Sequence, residues 1–97
     1  MKRVAVEAAL RRLAPAIPPH EFTAVVDHAL DSAGLRGAAP ETAAWLSLVA
    51  YARHMFTDYD DLLAQGYDRE SARHFVADDI VATLQGWGVR RKLSEAD

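Results

Sequence analysis

Apolar side chains recur at three- and four-residue intervals through most of this chain, and no segment alternates with period two over the length of a strand. Residues three or four apart share one face of an α-helix, so the pattern commits the chain to helices that pack through apolar stripes. Val6, Leu10, Leu13 and then Ile17 mark a first helix from Lys2 to Leu13. Glu7 stands four residues before Arg11, a favourable helical ion pair, and Pro15, Pro18 and Pro19 end the helix. A second helix opens at Pro19, with Glu21 compensating the dipole of its first turn. Phe22, Val25, Val26, Ala29, Leu30 and Ala33 form its stripe, and Gly34 is the expected stop. Pro40 and Glu41 repeat the proline-then-acid opening for a third helix, reaching Phe56. Its apolar residues Trp45, Leu46, Leu48, Val49, Ala52 and Phe56 cover more than one face, which places this helix at the centre.

Beyond it, Thr57 reads as the N-cap of a short helix from Asp58 to Gln65, and its spacing to Asp60 resembles a capping box. Gly66 supplies a left-handed stop. Asp68 caps a last helix from Arg69 to Trp87, with Ala72, Phe75, Val76, Ile80, Leu84 and Trp87 on its apolar face. The expectation is an all-α fold, a compact bundle of four main helices plus one short helix around a central apolar helix. The 97 residues make one domain. Within it, residues 1–16 form the N-terminal helix and linker, 17–87 the core, and 88–97 a flexible, frayed tail.

Composition narrows the function classes. A chain of this length buries roughly 60–65% of its unfolded surface, and much of the 51% apolar content is alanine, which adds little area. A second copy or partner would add burial that the core lacks. The absence of cysteine excludes disulfides, thiolate metal sites and cysteine nucleophiles. No run approaches the ~20 apolar residues of a membrane span, and no signal-peptide pattern follows Lys2 and Arg3, so the expected location is the cytoplasm, with no membrane partner. Net charge is −3, which disfavours a strongly basic nucleic-acid binder.

Polar groups concentrate between Arg53 and Arg73. Arg53 and His54 end the third helix, where positive charge suits the dipole, and Asp58, Asp60 and Asp61 open the next, where negative charge does. Arg69 and Arg73, four apart, share one face. In the leading reading these groups form a structural clasp in which Arg53 reaches Asp58 or Asp60. In the other, Arg53, His54, Arg69 and Arg73 line a pocket for an anion or a partner's carboxylate, with Asp58, Tyr59, Asp60 and Tyr67 alongside. His54 with Asp58, and His74 with Asp78, have the four-residue spacing of metal ligands, but the helix boundary at Thr57 breaks the first pair's register, so no metal site is assigned. His20 and His28 read as solvated. No motif activates a serine, no catalytic residue is assigned, and no cofactor is implied.

Arg53, His54, Thr57, Asp58, Tyr59, Asp60, Leu62, Leu63, Gly66, Arg69, Ala72, Arg73 and Trp87 together resemble the pattern of domain-of-unknown-function family 2293. The segment from Ile17 to Glu21 resembles the start of that domain, so the likeness covers Ile17 to Trp87. It implies a helical domain and brings no activity or site residue with it. The expected function is a non-enzymatic interaction module working through a protein partner or its own second copy, such as a small regulatory or inhibitor protein. A nucleic-acid-binding module using Arg53, Arg69, Arg73 and the basic Arg90, Arg91 and Lys92 ranks second, and a metal- or phosphate-dependent enzyme third.

Overall fold

The computed structural model describes residues 2–97. It is all-helical: α1 (Arg3–Leu13), α2 (Pro19–Asp31), a 3-10 turn (Ala33–Leu35), α3 (Pro40–Phe56), α4 (Tyr59–Ala64) and α5 (Arg69–Gly86). Pro19 and Pro40 occupy first-turn positions of α2 and α3, where a missing N–H costs nothing, and Glu21 and Glu41 follow in the same turns. The Asp68 side chain caps α5 by accepting from the Ser71 N–H at 2.7 Å. Gly66 takes φ +101 between α4 and α5, a conformation that L side chains rarely adopt.

Helix α3 is the hub, packing against α1, α2 and α5 and meeting α4 at its end. Trp45, Leu48, Val49 and Ala52 are buried on it, joined by Val6, Ala9 and Leu10 of α1, Val25, Val26 and Ala29 of α2, and Ala72, Val76, Ile80 and Leu84 of α5. Alanines at Ala9, Ala29, Ala43, Ala44, Ala52 and Ala72 have no exposure. They spend the alanine-rich composition on close helix approach. Leu46 and Phe56, expected inside, are exposed, so the buried surface of α3 is broad but not complete.

Three local expectations change. Helix α2 stops at Asp31, because Ser32 turns extended at φ −76 and ψ 113, and Gly34 lies within the 3-10 turn instead of acting as a left-handed stop. The ion pairs among the described residues are Arg3–Asp27, Arg12–Glu41 and His54–Asp60, not Glu7–Arg11. Arg11 instead lies over the Phe22 ring, 4.9 Å from its centroid. His28 is exposed, as expected, and its Nδ1 meets the oxygen of fully buried Ser47 at 3.1 Å, which provides that hydroxyl with a partner.

The largest change is in residues 88–97, which fold back on the bundle where fraying was expected. Gly88 turns the chain at φ +82. The Ala16 N–H bonds the Trp87 carbonyl at 2.9 Å, Val89 is buried and Leu93 packs against the core. At the end of the segment, Trp45 Nε1 donates to Asp97 Oδ1 at 3.0 Å, and the Ser94 N–H and Oγ donate to Asp97 Oδ2, each at 3.0 Å. The Arg91 guanidinium lies 4.4 Å from the centroid of the Trp45 ring, within the range of a cation–π contact.

Candidate functional site

The last turn of α3 turns Arg53 inward. Val49, one turn earlier on the same face, is buried, and Arg53 continues that face at 7% relative exposure. The turn that follows is held by Thr57, whose hydroxyl donates to the Arg53 carbonyl and whose Oγ1 accepts the Tyr59 N–H at 3.2 Å. Asp58 is the residue at the α4 N-cap and makes no side-chain cap bond. The capping box read from Thr57 and Asp60 is not formed, because Asp60 is engaged elsewhere: its carboxylate meets His54 Nδ1 at 2.7 Å on the surface.

The expected clasp therefore separates into two parts. Outside, His54 pairs with Asp60. Inside, Arg53 reaches neither Asp58 nor Asp60. Its guanidinium sits 5.5 Å from the centroid of the buried Tyr59 ring, and Nη2 donates to the main-chain oxygen of Asp97 at 2.7 Å. Its Nε is buried with no hydrogen-bond partner. A guanidinium in this setting is strained electrostatically. Burial pulls the Arg53 pKa below its ordinary value, the nearby positive charge of Arg73 adds to that, and Tyr59 and Asp97 oppose it only in part.

Arg69 and Arg73 project from the first turns of α5 into the same space. Both are exposed, and neither takes part in an ion pair among the described residues. With Arg53 they line an open groove of about 990 Å3 between α5 and the returning segment, to which Ser71, His74, Phe75, Leu93 and Asp97 also contribute. A second groove of about 380 Å3 adjoins it, sharing Val81 and Leu93, and is lined by Arg90, Arg91 and Lys92. At the rim, Phe75 is 60% exposed and Tyr67 44%. They meet edge to face with centroids 5.5 Å apart.

The structure thus brings Arg53, Arg69 and Arg73 together. It removes His54, Asp58 and Asp60 to the outer surface and makes Tyr59 the floor beneath Arg53. The proposed metal ligands do not assemble: His54 bonds Asp60 instead of Asp58, and among the described residues no group of three or more His, Asp or Glu side chains converges on one point with His74 and Asp78. Sequence reasoning missed Asp97 and Ser94 as parts of the groove, and it placed Phe75 on the apolar face of α5, whereas that ring is exposed and lines the groove. Val89 and Leu93, apolar and four apart in a polar stretch, are the signal that the segment has an inner face.

Comparison with known proteins gives one result. The model of the family described as an uncharacterized conserved protein, DUF2293, matches residues 9–88. No curated protein and no solved structure matches.

Proposed function

The chain belongs to the DUF2293 family, and we propose that it is a non-enzymatic binding module which takes the anionic groups of a partner in the groove between α5 and residues 93–97. One observation carries this reading. Arg53 is buried with an unpartnered Nε, and it shares the groove with two further guanidiniums that no carboxylate pairs. Buried polar atoms are nearly always satisfied, and the charges of Arg53 and Arg73 repel. An incoming carboxylate or phosphate offers the exposed Arg69 and Arg73 forks parallel hydrogen bonds and relieves the repulsion between Arg73 and Arg53. Guanidiniums hold their charge and do not shuttle protons at neutral pH, which supports binding over catalysis.

The reading covers any partner that presents such groups, whether a protein, a second copy of the chain or a nucleic acid. A cytoplasmic location belongs to the same proposal and is supported by the cysteine-free composition. No described helix is long and apolar enough to cross a membrane.

The test is thermal denaturation with and without polyanions, using poly-glutamate and polyphosphate as probes. A ligand at 100 times its Kd stabilises the folded state by about 2.7 kcal/mol. The proposal expects a rise in Tm with at least one polyanion, lost in an Arg69→Ala/Arg73→Ala variant. An unchanged Tm with every polyanion at low salt removes it. Light scattering at high concentration settles the second-copy option, which a strict monomer rejects.

A further inference from the structure

The groove reading rests on three arginines, but the structure gathers more than these. Every arginine and lysine after Leu48 lines one of the two adjoining grooves: Arg53, Arg69 and Arg73 in the first, Arg90, Arg91 and Lys92 in the second. Nine acidic residues lie in the same half of the chain, and only Glu70, Glu95 and Asp97 line the grooves. The Asp97 carboxylate accepts from Trp45 and Ser94 and keeps its charge, so the two grooves together set six cations against three carboxylates. A chain of net charge −3 therefore carries a concave, locally cationic trough along α5. Segregation of this kind raises the local concentration of a polyanion whatever the net charge.

The second observation is the exposed aromatic pair. Phe75 lines the first groove, and Tyr67 stands against it. Phe75 also meets the His74 ring, with centroids 6.3 Å apart, and both Phe75 and Tyr67 leave much of their surface to solvent. An acidic peptide would use the cations and leave these rings idle. A single-stranded nucleic acid uses both, because its phosphates track the cations while unpaired bases stack on aromatic faces. A duplex hides its base faces and asks for a protruding element to enter a groove, whereas this surface is itself the groove.

We propose that the trough running from Arg53, Arg69 and Arg73 to Arg90, Arg91 and Lys92 binds single-stranded nucleic acid, with a base stacked on Phe75 or Tyr67. The proposal rests on the groove reading above and names its partner. Sequence preference is weak, because phosphate contacts and stacking are both tolerant of base identity.

The experiment is fluorescence anisotropy with labelled oligo(dT) and oligo(U) of about 12 nucleotides, within the span that small single-strand sites cover. The same strand as a duplex and a poly-glutamate peptide serve as competitors. Binding at about 50 mM salt that weakens steeply by about 200 mM is expected. Arg69→Ala/Arg73→Ala flattens the slope of log K against log salt by about 1.4, or about 0.7 for each lost phosphate contact. Phe75→Ala lowers affinity at least about fivefold with the salt slope unchanged, the signature of lost stacking. All three positions are exposed, and far-UV circular dichroism verifies that the variants fold.

Tighter binding to duplex overturns the single-strand assignment. Displacement of the oligonucleotide by an equal charge of poly-glutamate, with no effect of Phe75→Ala, overturns the nucleic-acid assignment and leaves the groove reading standing. No binding of any polyanion at low salt overturns both. The two oligonucleotides separate a DNA partner from an RNA partner, and preference for either is consistent with the proposal.

Discussion

Replacing Arg53 with methionine tests whether this arginine serves the fold or a ligand. The substitution removes the bond from Nη2 to the Asp97 main-chain oxygen, a charge-assisted contact worth about 1.5–3 kcal/mol. It also removes the guanidinium above Tyr59, worth about 0.5–2 kcal/mol. Against these losses, it deletes a buried Nε that has no partner, which relieves about 1–3 kcal/mol. It ends the repulsion from Arg73 and the desolvation of a charge, where effective penalties reach several kcal/mol. Methionine fills similar volume and adapts to irregular gaps, and the Asp97 oxygen, at a partly exposed position, can turn to water. The terms nearly cancel, so Arg53→Met is expected within about 1 kcal/mol of the parent, or slightly more stable. For a domain of this size, 1 kcal/mol corresponds to roughly 4–8 °C in Tm. Urea and thermal denaturation followed by circular dichroism measure the change, and anisotropy with a polyanion measures the loss of binding in the same variant. A loss of about 3–5 kcal/mol, the range for breaking a well-paired buried charge, would refute the argument and make Arg53 a keystone of the fold.

Leu48→Ala at the centre of α3, where the leucine has no exposure, should cost about 2–5 kcal/mol in urea denaturation; a cost under about 1 kcal/mol would mean that the core is loosely packed there. Gly88→Ala combines a φ of +82 with a new Cβ only 3.1 Å from Pro15 Cγ, whereas Gly66→Ala has φ +101 but open space around it. The first should lower Tm more than the second, and the reverse order would show that residue 88 is not held against the α1–α2 linker. The Asp97 carboxyl supplies a pH test. Burial favours its neutral form, but bonds from the Ser94 N–H, Trp45 Nε1 and the Ser94 hydroxyl, with the charge of Arg91, hold its pKa below the ordinary 3.8. A depressed folded-state pKa means that its stabilising contribution is fully present above the unfolded value and is lost as pH falls through the folded one. Amide exchange at Ser94 should therefore accelerate below about pH 4, and Trp45→Phe should shift the onset upward; exchange independent of pH, after correction for its intrinsic rate, would detach Asp97 from this role.

Most helix boundaries were legible because local chemistry sets them: a first-turn proline at Pro19 and Pro40, the Asp68 side chain on the Ser71 N–H, the positive φ at Gly66. The fold-back of residues 88–97 was not legible, since its anchors join residues 52 and 44 positions apart, Trp45 and Arg53 to Asp97. No local periodicity encodes such a pairing. The burial of Arg53 was half legible. Its place in a last turn predicts a solvated cation serving the dipole, yet it stands four residues after Val49, itself four after Trp45, on a face whose other members are buried. The helical register outweighed the charge.

The same reasoning separates net charge from local charge. Counting along the chain averages over the faces of each helix, and α5 separates them. Arg69 and Arg73 fall with Ala77 and Ile80 on the groove side, together with one acid, Glu70, while Asp78 and Asp79 do not line either groove. The acidic excess of the second half is real, but helix geometry keeps most of it off the surface where the cations meet. The net charge therefore describes the molecule as a whole, and the proposed polyanion binding depends on the six cations that line the grooves.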